Sequence, residues 1–251
     1  MKKIKVGAVS YLNTKPLLYG IERSDELMRQ IEMVKDYPSK IAKQLLDESI
    51  DIGLVPVSII PKLKEHHIIS DYCIGANGNV ASVCLFSDVE LDKVEKILLD
   101  YQSRTSVALC KVLLKNYWKK DVFLEDAKHD FTEEIQGTTA GVLIGDRALR
   151  QRKRSEFIYD LAGEWRKFAQ LPFVFAAWIS NKELPEDFIK LFNQKNGEGL
   201  KNIDAVIREN ECDYYDLHTY YTQNISYELT REKIKGMNLF LELVRQLKHS
   251  F

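Results

Sequence analysis

The sequence predicts an α/β protein built from two lobes joined by a hinge. Three observations predict it. Short apolar runs end repeatedly in small polar residues, amphipathic segments with helical spacing separate them, and the pattern changes near residue 87 and changes back near 173. Such runs with short connections form largely parallel sheets covered by helices. Two units crossed twice by the chain leave a ligand cleft at the carboxyl ends of their strands.

Taken in order, residues 4–9 form a buried strand that runs into Ser10-Tyr11-Leu12-Asn13. Residues 31–35 form a second strand, closed by Asp36-Tyr37-Pro38-Ser39. Pro38 suits a first helical turn, and Ile41, Ala42, Leu45, Leu46 and Ile50 follow at helical spacing. Residues 51–58 are a third strand, and apolar runs at 68–74 and 80–86 flank a turn at 75–79. A second α/β unit follows. Its strand at 97–100 leads through Tyr101-Gln102-Ser103-Arg104-Thr105-Ser106 into a helix, and further strands lie at 122–124 and 141–145. A long apolar strand at 173–179 precedes an almost purely helical tail, whose last helix opens at Thr230. The expected division is therefore residues 1–86 plus 173–251 in lobe I and 87–172 in lobe II.

Composition narrows the function. The chain has 251 residues with Lys+Arg 36 against Asp+Glu 37, so no basic surplus attracts a polyanion, and nucleic acid is not an expected partner. The basic run at 150–154 reads as a solvated helix end. The apolar fraction of 45% excludes disorder, and no run reaches membrane-spanning length, so no membrane partner is expected. Four cysteines stand singly, the usage of a reducing compartment, and residues 1–10 are too short and too broken by Lys5 for a signal peptide. A soluble, cytoplasmic protein is expected. The five histidines show no ligand spacing, so no metal site is expected. Nucleophile-elbow, dinucleotide and phosphate-loop motifs are also missing, which disfavours nucleotide cofactors.

The informative residues follow or precede strands. Ser10 to Thr14 follow the first strand, Ser103 to Ser106 open a helix, and Gly137 to Gly141 precede the strand that ends at Asp146. Hydroxyls and free main-chain N–H groups at helix starts hold anions. Arg104 adds a charge able to pair with a carboxylate. Ser103 alone would be a helix cap, but three such segments converging on one cleft point to a small anionic ligand.

At these loops the sequence resembles the chorismate dehydratase family, which opens the futalosine route to menaquinone. The resemblance rests on residues 9–17, 51–58, 80–83, 100–106, 141–146 and 171–178, in the family's order. It implies a type II periplasmic-binding-protein-like fold and elimination of water from chorismate, giving 3-[(1-carboxyvinyl)oxy]benzoate without a cofactor. It also implies that Asn13 and Ser82 sit against the enolpyruvyl carboxylate as the catalytic pair. Around them the expected substrate-binding residues are Ser10, Tyr11, Ser58, Ser103, Arg104, Thr105, Ser106, Thr139, Gly145 and Asp146. The motifs contain no histidine or glutamate, so the base is either Asp100, Asp146 or, as preferred here, the substrate's own carboxylate. Two other readings stay open: a non-catalytic binder of a small carboxylate on the same fold, and the sister enzyme 1,4-dihydroxy-6-naphthoate synthase.

Overall fold

The computed structural model describes residues 3–248. Four strands come first: β1 (Ile4–Val9), β2 (Ile31–Asp36), β3 (Ile52–Pro56) and β4 (His67–Ala76). Five more follow, β5 (Val83–Ser87), β6 (Lys96–Leu99), β7 (Phe123–Asp126), β8 (Thr139–Ile144) and β9 (Phe157–Asp160). The last two are β10 (Phe173–Ser180) and β11 (Ser226–Glu228). One sheet has the order β11-β4-β10-β3-β1-β2, the other β7-β6-β8-β5-β9.

Local chemistry accounts for the first unit. Pro16 opens helix α1 (Lys15–Glu22), and Ser24 caps α2 (Asp25–Gln30) by accepting the Leu27 N–H at 3.3 Å. Pro38 begins α3 (Pro38–Leu46), which buries Ile41, Ala42 and Leu45 and leaves its lysines in solvent. Burying an Ile or Leu side chain contributes about 1.5–3 kcal/mol, so this one stripe holds α3 on the sheet. In the second unit, α4 (Thr105–Leu113), α5 (Gly145–Gln151) and α6 (Leu161–Ala169) each start where a strand has just ended. The tail carries α7 (Glu186–Asn196), α8 (Ile203–Arg208), the short α9 (Leu217–Thr219) and α10 (Arg231–Lys248). Trp165 of α6, Phe173 of β10 and Phe240 of α10 meet edge to face, with centroids 5.0 to 6.1 Å apart, and join the tail to both units.

Three expectations need correction. The strand Val83–Ser87, expected in lobe I, pairs with β8 and β9 in the second sheet, so the first crossing lies at 77–82. An apolar run cannot by itself tell which sheet it will complete. The sheets are mixed: β10 lies antiparallel between β3 and β4, and β5 antiparallel between β8 and β9, because these strands enter from the opposite lobe or reverse within it. The tail also contributes β11, a three-residue edge strand too short for any periodicity to announce. Among the described residues no helix is long and apolar enough to cross a membrane.

Candidate active site

The carboxyl ends of β1, β3, β6 and β8 point into the cleft between the sheets, together with the amino ends of the antiparallel β5 and β10. There they line a partly open cavity between the two sheets. Its walls include the apolar Val9, Leu54, Pro56, Ile74 and Phe175, with Tyr11, Asn13, Ser82, Ser103, Thr105 and Ser106 as polar groups.

Each polar group is held by the element that supplies it. After β1 the chain makes a tight turn over Leu12–Thr14, where the Thr14 hydroxyl bonds the Val9 and Tyr11 carbonyls, both at 2.7 Å. This fixes Asn13, whose main-chain carbonyl accepts the Tyr227 hydroxyl at 2.9 Å. Its side-chain Oδ1 is buried with no protein partner. Ser82 is wholly buried, and its carbonyl accepts the Gly145 N–H at 2.8 Å, yet its hydroxyl is also without a protein partner. The buried Tyr220 hydroxyl stands close enough to Ser82 to feel it, although the geometry falls short of a hydrogen bond. Ser103, just before the N-terminus of α4, accepts the Ser106 N–H at 3.1 Å and also lines the cavity. Thr105 bonds Ser58 twice at 3.2 Å, through the Ser58 main-chain N–H and its hydroxyl.

Tyr11 bridges the lobes. Its hydroxyl donates to Gln102 Oε1, and its ring lies over Gly145. Burial, and secondarily the Asp100 charge, pushes the Tyr11 hydroxyl well above the ordinary tyrosine range, so it stays a donor. Gly145 has φ +61°, and a Cβ there would lie 2.9 Å from the Tyr11 ring. Gly145→Ala therefore combines left-handed strain of about 1–2 kcal/mol with displacement of Tyr11. The expected result is a melting midpoint lower by several degrees together with weakened ligand binding, read by calorimetry and titration.

Several expected site residues lie elsewhere. Ser10 is exposed and does not line the cavity. Ser58 stands behind Thr105 and acts through it. Arg104 faces a neighbouring groove with Ser39, Lys40 and Lys43, so its charge is not in the cavity wall. Asp146 accepts the Leu12 N–H at 3.2 Å and ties the lobes together instead of facing the ligand space. Thr139 pairs with Lys96 at the start of β8, roughly 16 Å of strand from Ile144 at the cavity. The cluster precedes its strand, and only the far end of that strand reaches the cavity.

Asp100 is fully engaged. It accepts two bonds from Arg147 at 2.7 and 2.8 Å, the Gln102 N–H at 2.9 Å and the Ile144 N–H at 3.1 Å. Burial raises its pKa, opposed by Arg147 and these bonds. No acid, base or cation of the Asp, Glu, His, Lys or Arg type lines the cavity among the described residues. Residues missed from sequence are Gln102 as partner of Tyr11, Tyr220 beside Ser82, and Arg152. The last belongs to the run expected to be solvated, but it turns inward to the Ala81 carbonyl at 3.3 Å.

Comparison with known proteins agrees with this architecture. The chain is similar to the chorismate dehydratase of Thermus thermophilus, 24% identical over 266 residues that cover 96% of this chain and 95% of that one. Among solved structures, protein AF1704 from Archaeoglobus fulgidus superposes with a TM-score of 0.74 at 13% identity, covering 98% of both chains. The Candida albicans CA3427 product, described as having the generic periplasmic binding protein fold, gives 0.64 at 14% identity, covering 100% of this chain and 92% of that one. An ABC transporter protein from Parabacteroides distasonis gives 0.67 at 17% identity, covering 98% and 93%. The fold is thus that of the periplasmic binding proteins. The model of one family, described as menaquinone biosynthesis, matches from residue 4 to residue 246, and to that family this chain belongs.

Proposed function

We propose that this protein is a chorismate dehydratase, which removes water from chorismate to give 3-[(1-carboxyvinyl)oxy]benzoate with no cofactor. Family membership and the Thermus relative support the coarser part of this reading. The observation that carries the finer part is that Asn13 and Ser82 line one cavity, where the buried Ser82 hydroxyl has no protein partner and the Asn13 carboxamide can donate through its NH₂. A buried polar group left unpaired costs about 1–3 kcal/mol, a cost retained where a ligand is to satisfy it.

Chorismate brings two carboxylates to a wall without charged side chains. The Ser82, Ser103, Thr105 and Ser106 hydroxyls and the positive end of α4 offer dipoles in their place. In the proposed reaction the C–H bond at the ether-bearing carbon breaks. Its electrons enter the ring, the neighbouring hydroxyl departs, and the two fragments leave as water. Aromatisation supplies the driving force, so orientation is the main demand on the protein. The enolpyruvyl carboxylate, held by Asn13 and Ser82, takes the proton. That assignment is favoured because Asp100 is saturated by Arg147 and main-chain donors, and Asp146, which accepts the Leu12 N–H, does not line the cavity.

Incubation of the purified protein with chorismate should yield the aromatic enolpyruvyl product. Unchanged chorismate would leave the binding-protein reading ahead. Turnover of a dehypoxanthine futalosine derivative instead would favour the sister synthase. In the same assay kcat should stay flat from about pH 6 to 9, between the ordinary carboxylate and tyrosine ranges. Tyr11, raised above its ordinary 10.0, sets the alkaline side. The native state keeps a proton that the unfolded chain releases above that value, so stability is full below it and falls as pH rises past it. A bell centred near neutrality would point to a protein acid or base instead.

A further inference from the structure

Four non-glycine residues have positive φ among the described residues: Glu48, Ala81, Lys119 and Gln170. Glu48, Lys119 and Gln170 follow helix ends, where this conformation is common. Ala81 does not. It is the centre of a three-residue turn with φ +64°, closed by the Ser82 N–H on the Val80 carbonyl at 2.8 Å, a rare and strained geometry for a residue with a Cβ. The residue immediately after it is Ser82.

The turn is gripped on both sides. Asp160, at the end of β9, accepts the Val80 N–H at 3.0 Å on one oxygen and the Ala81 N–H at 2.7 Å on the other. The first oxygen also caps α6 through the N–H groups of Ala162 and Gly163 at 3.2 and 3.1 Å. The Ala81 carbonyl accepts from Arg152 at 3.3 Å and from the Cys84 thiol at 3.4 Å. Asp160 is buried, and the nearby Arg152 favours its charged form. One carboxylate therefore joins the segment at 77–82, where the chain first changes sheet, to the start of α6, which leads to the second change at β10.

We infer that Asp160, seconded by Arg152, is a positioning residue that holds Ala81 left-handed and so aims the Ser82 hydroxyl into the cavity. The inference rests on the reading of Ser82 as a ligand-binding group. It assigns the strain at Ala81 a purpose: released, the turn relaxes and Ser82 turns with it.

A double-mutant cycle of Asp160→Asn with Ala81→Gly tests this, using the full chain and chorismate. Asp160→Asn keeps the shape but places an NH₂ against a main-chain N–H. It should lower kcat roughly 10–100-fold, the scale of a small misplacement at a reacting centre, with a smaller change in KM. Glycine adopts positive φ without a Cβ penalty, so adding Ala81→Gly should restore at least about tenfold of the lost kcat. A purely structural Asp160 would lower the melting midpoint while folded protein kept its kcat. Wild-type kcat in Asp160→Asn, or a double variant as slow as Asp160→Asn, would overturn the inference. Should wild type itself leave chorismate untouched, the substrate assignment fails, and substrate-free melting of the same four proteins still decides. Ala81→Gly should favour wild type more than Asp160→Asn, since only the clamped turn carries strain to relieve. Equal shifts would overturn the clamp.

Discussion

Ser82→Ala is expected to lower kcat/KM for chorismate by about 10²–10³-fold, the usual cost of deleting one preorganised donor at developing charge, equivalent to about 2.7–4 kcal/mol. The Ser82 hydroxyl is buried without a protein partner, and Ser82 lines the same cavity as Asn13. Asn13→Ala should cost a similar factor. Because both are read as holding one carboxylate, the double variant should fall well short of the product of the two losses. Stability supplies the independent sign. Removing an unpaired buried hydroxyl leaves nothing unsatisfied, so the melting midpoint of Ser82→Ala should hold or rise slightly. Steady-state kinetics alongside calorimetry reads both. Losses below threefold in both single variants would remove Asn13 and Ser82 from the machinery.

Asp100→Ala is expected to cost about 3–5 kcal/mol of folding stability, the range for breaking a buried ion pair from one side. The Asp100 side chain is fully buried, and that of Arg147 is 17% exposed. The carboxylate also holds the N–H groups of Gln102 and Ile144, and so the segments that carry Tyr11's partner and the end of β8. Losing it leaves a guanidinium and two main-chain donors to find water or each other. Against a total stability of about 5–15 kcal/mol this is a large share, and chemical denaturation should show it as a lowered midpoint with an unchanged slope. Asp100→Asn gives the contrary test. A variant that melts with wild type and binds chorismate, yet no longer turns over, would make Asp100 the base and displace the substrate carboxylate from that role.

Much of this arrangement is legible locally. Pro38 announces α3, Ser103 the start of α4, and the polar residues after Val9 the turn that presents Asn13, because helix starts and strand ends depend on near neighbours. What escaped depends on partners far away in the chain. Thr139 lies at the amino end of β8, and its pairing with Lys96 of the parallel β6 keeps that end away from the cavity. Arg104 looks like the ligand's counter-charge, but the helix turn directs it into the neighbouring groove. Asp160 and Arg152 meet Ala81 across 79 and 71 residues, and nothing near residue 81 marks it as left-handed. Tyr220 comes up to Ser82 from the tail, beyond the segments that carry the resemblance.

The sheet orders also constrain how the chain can assemble. All strands of the second sheet lie between Val83 and Asp160 without interruption, so that unit can close on itself as soon as this stretch is available. The first sheet cannot. Its inner strand β10 must insert between β3 and β4, which are made long before it, and β11 closes on β4 later still. During synthesis β3 and β4 therefore wait with unpaired edges until residues 173–180 arrive, while the second lobe is already complete. The return of β10 is a strongly non-local pairing, and it brings Phe175 and Ala176 to the cavity wall. The cavity is thus finished only when the fold is.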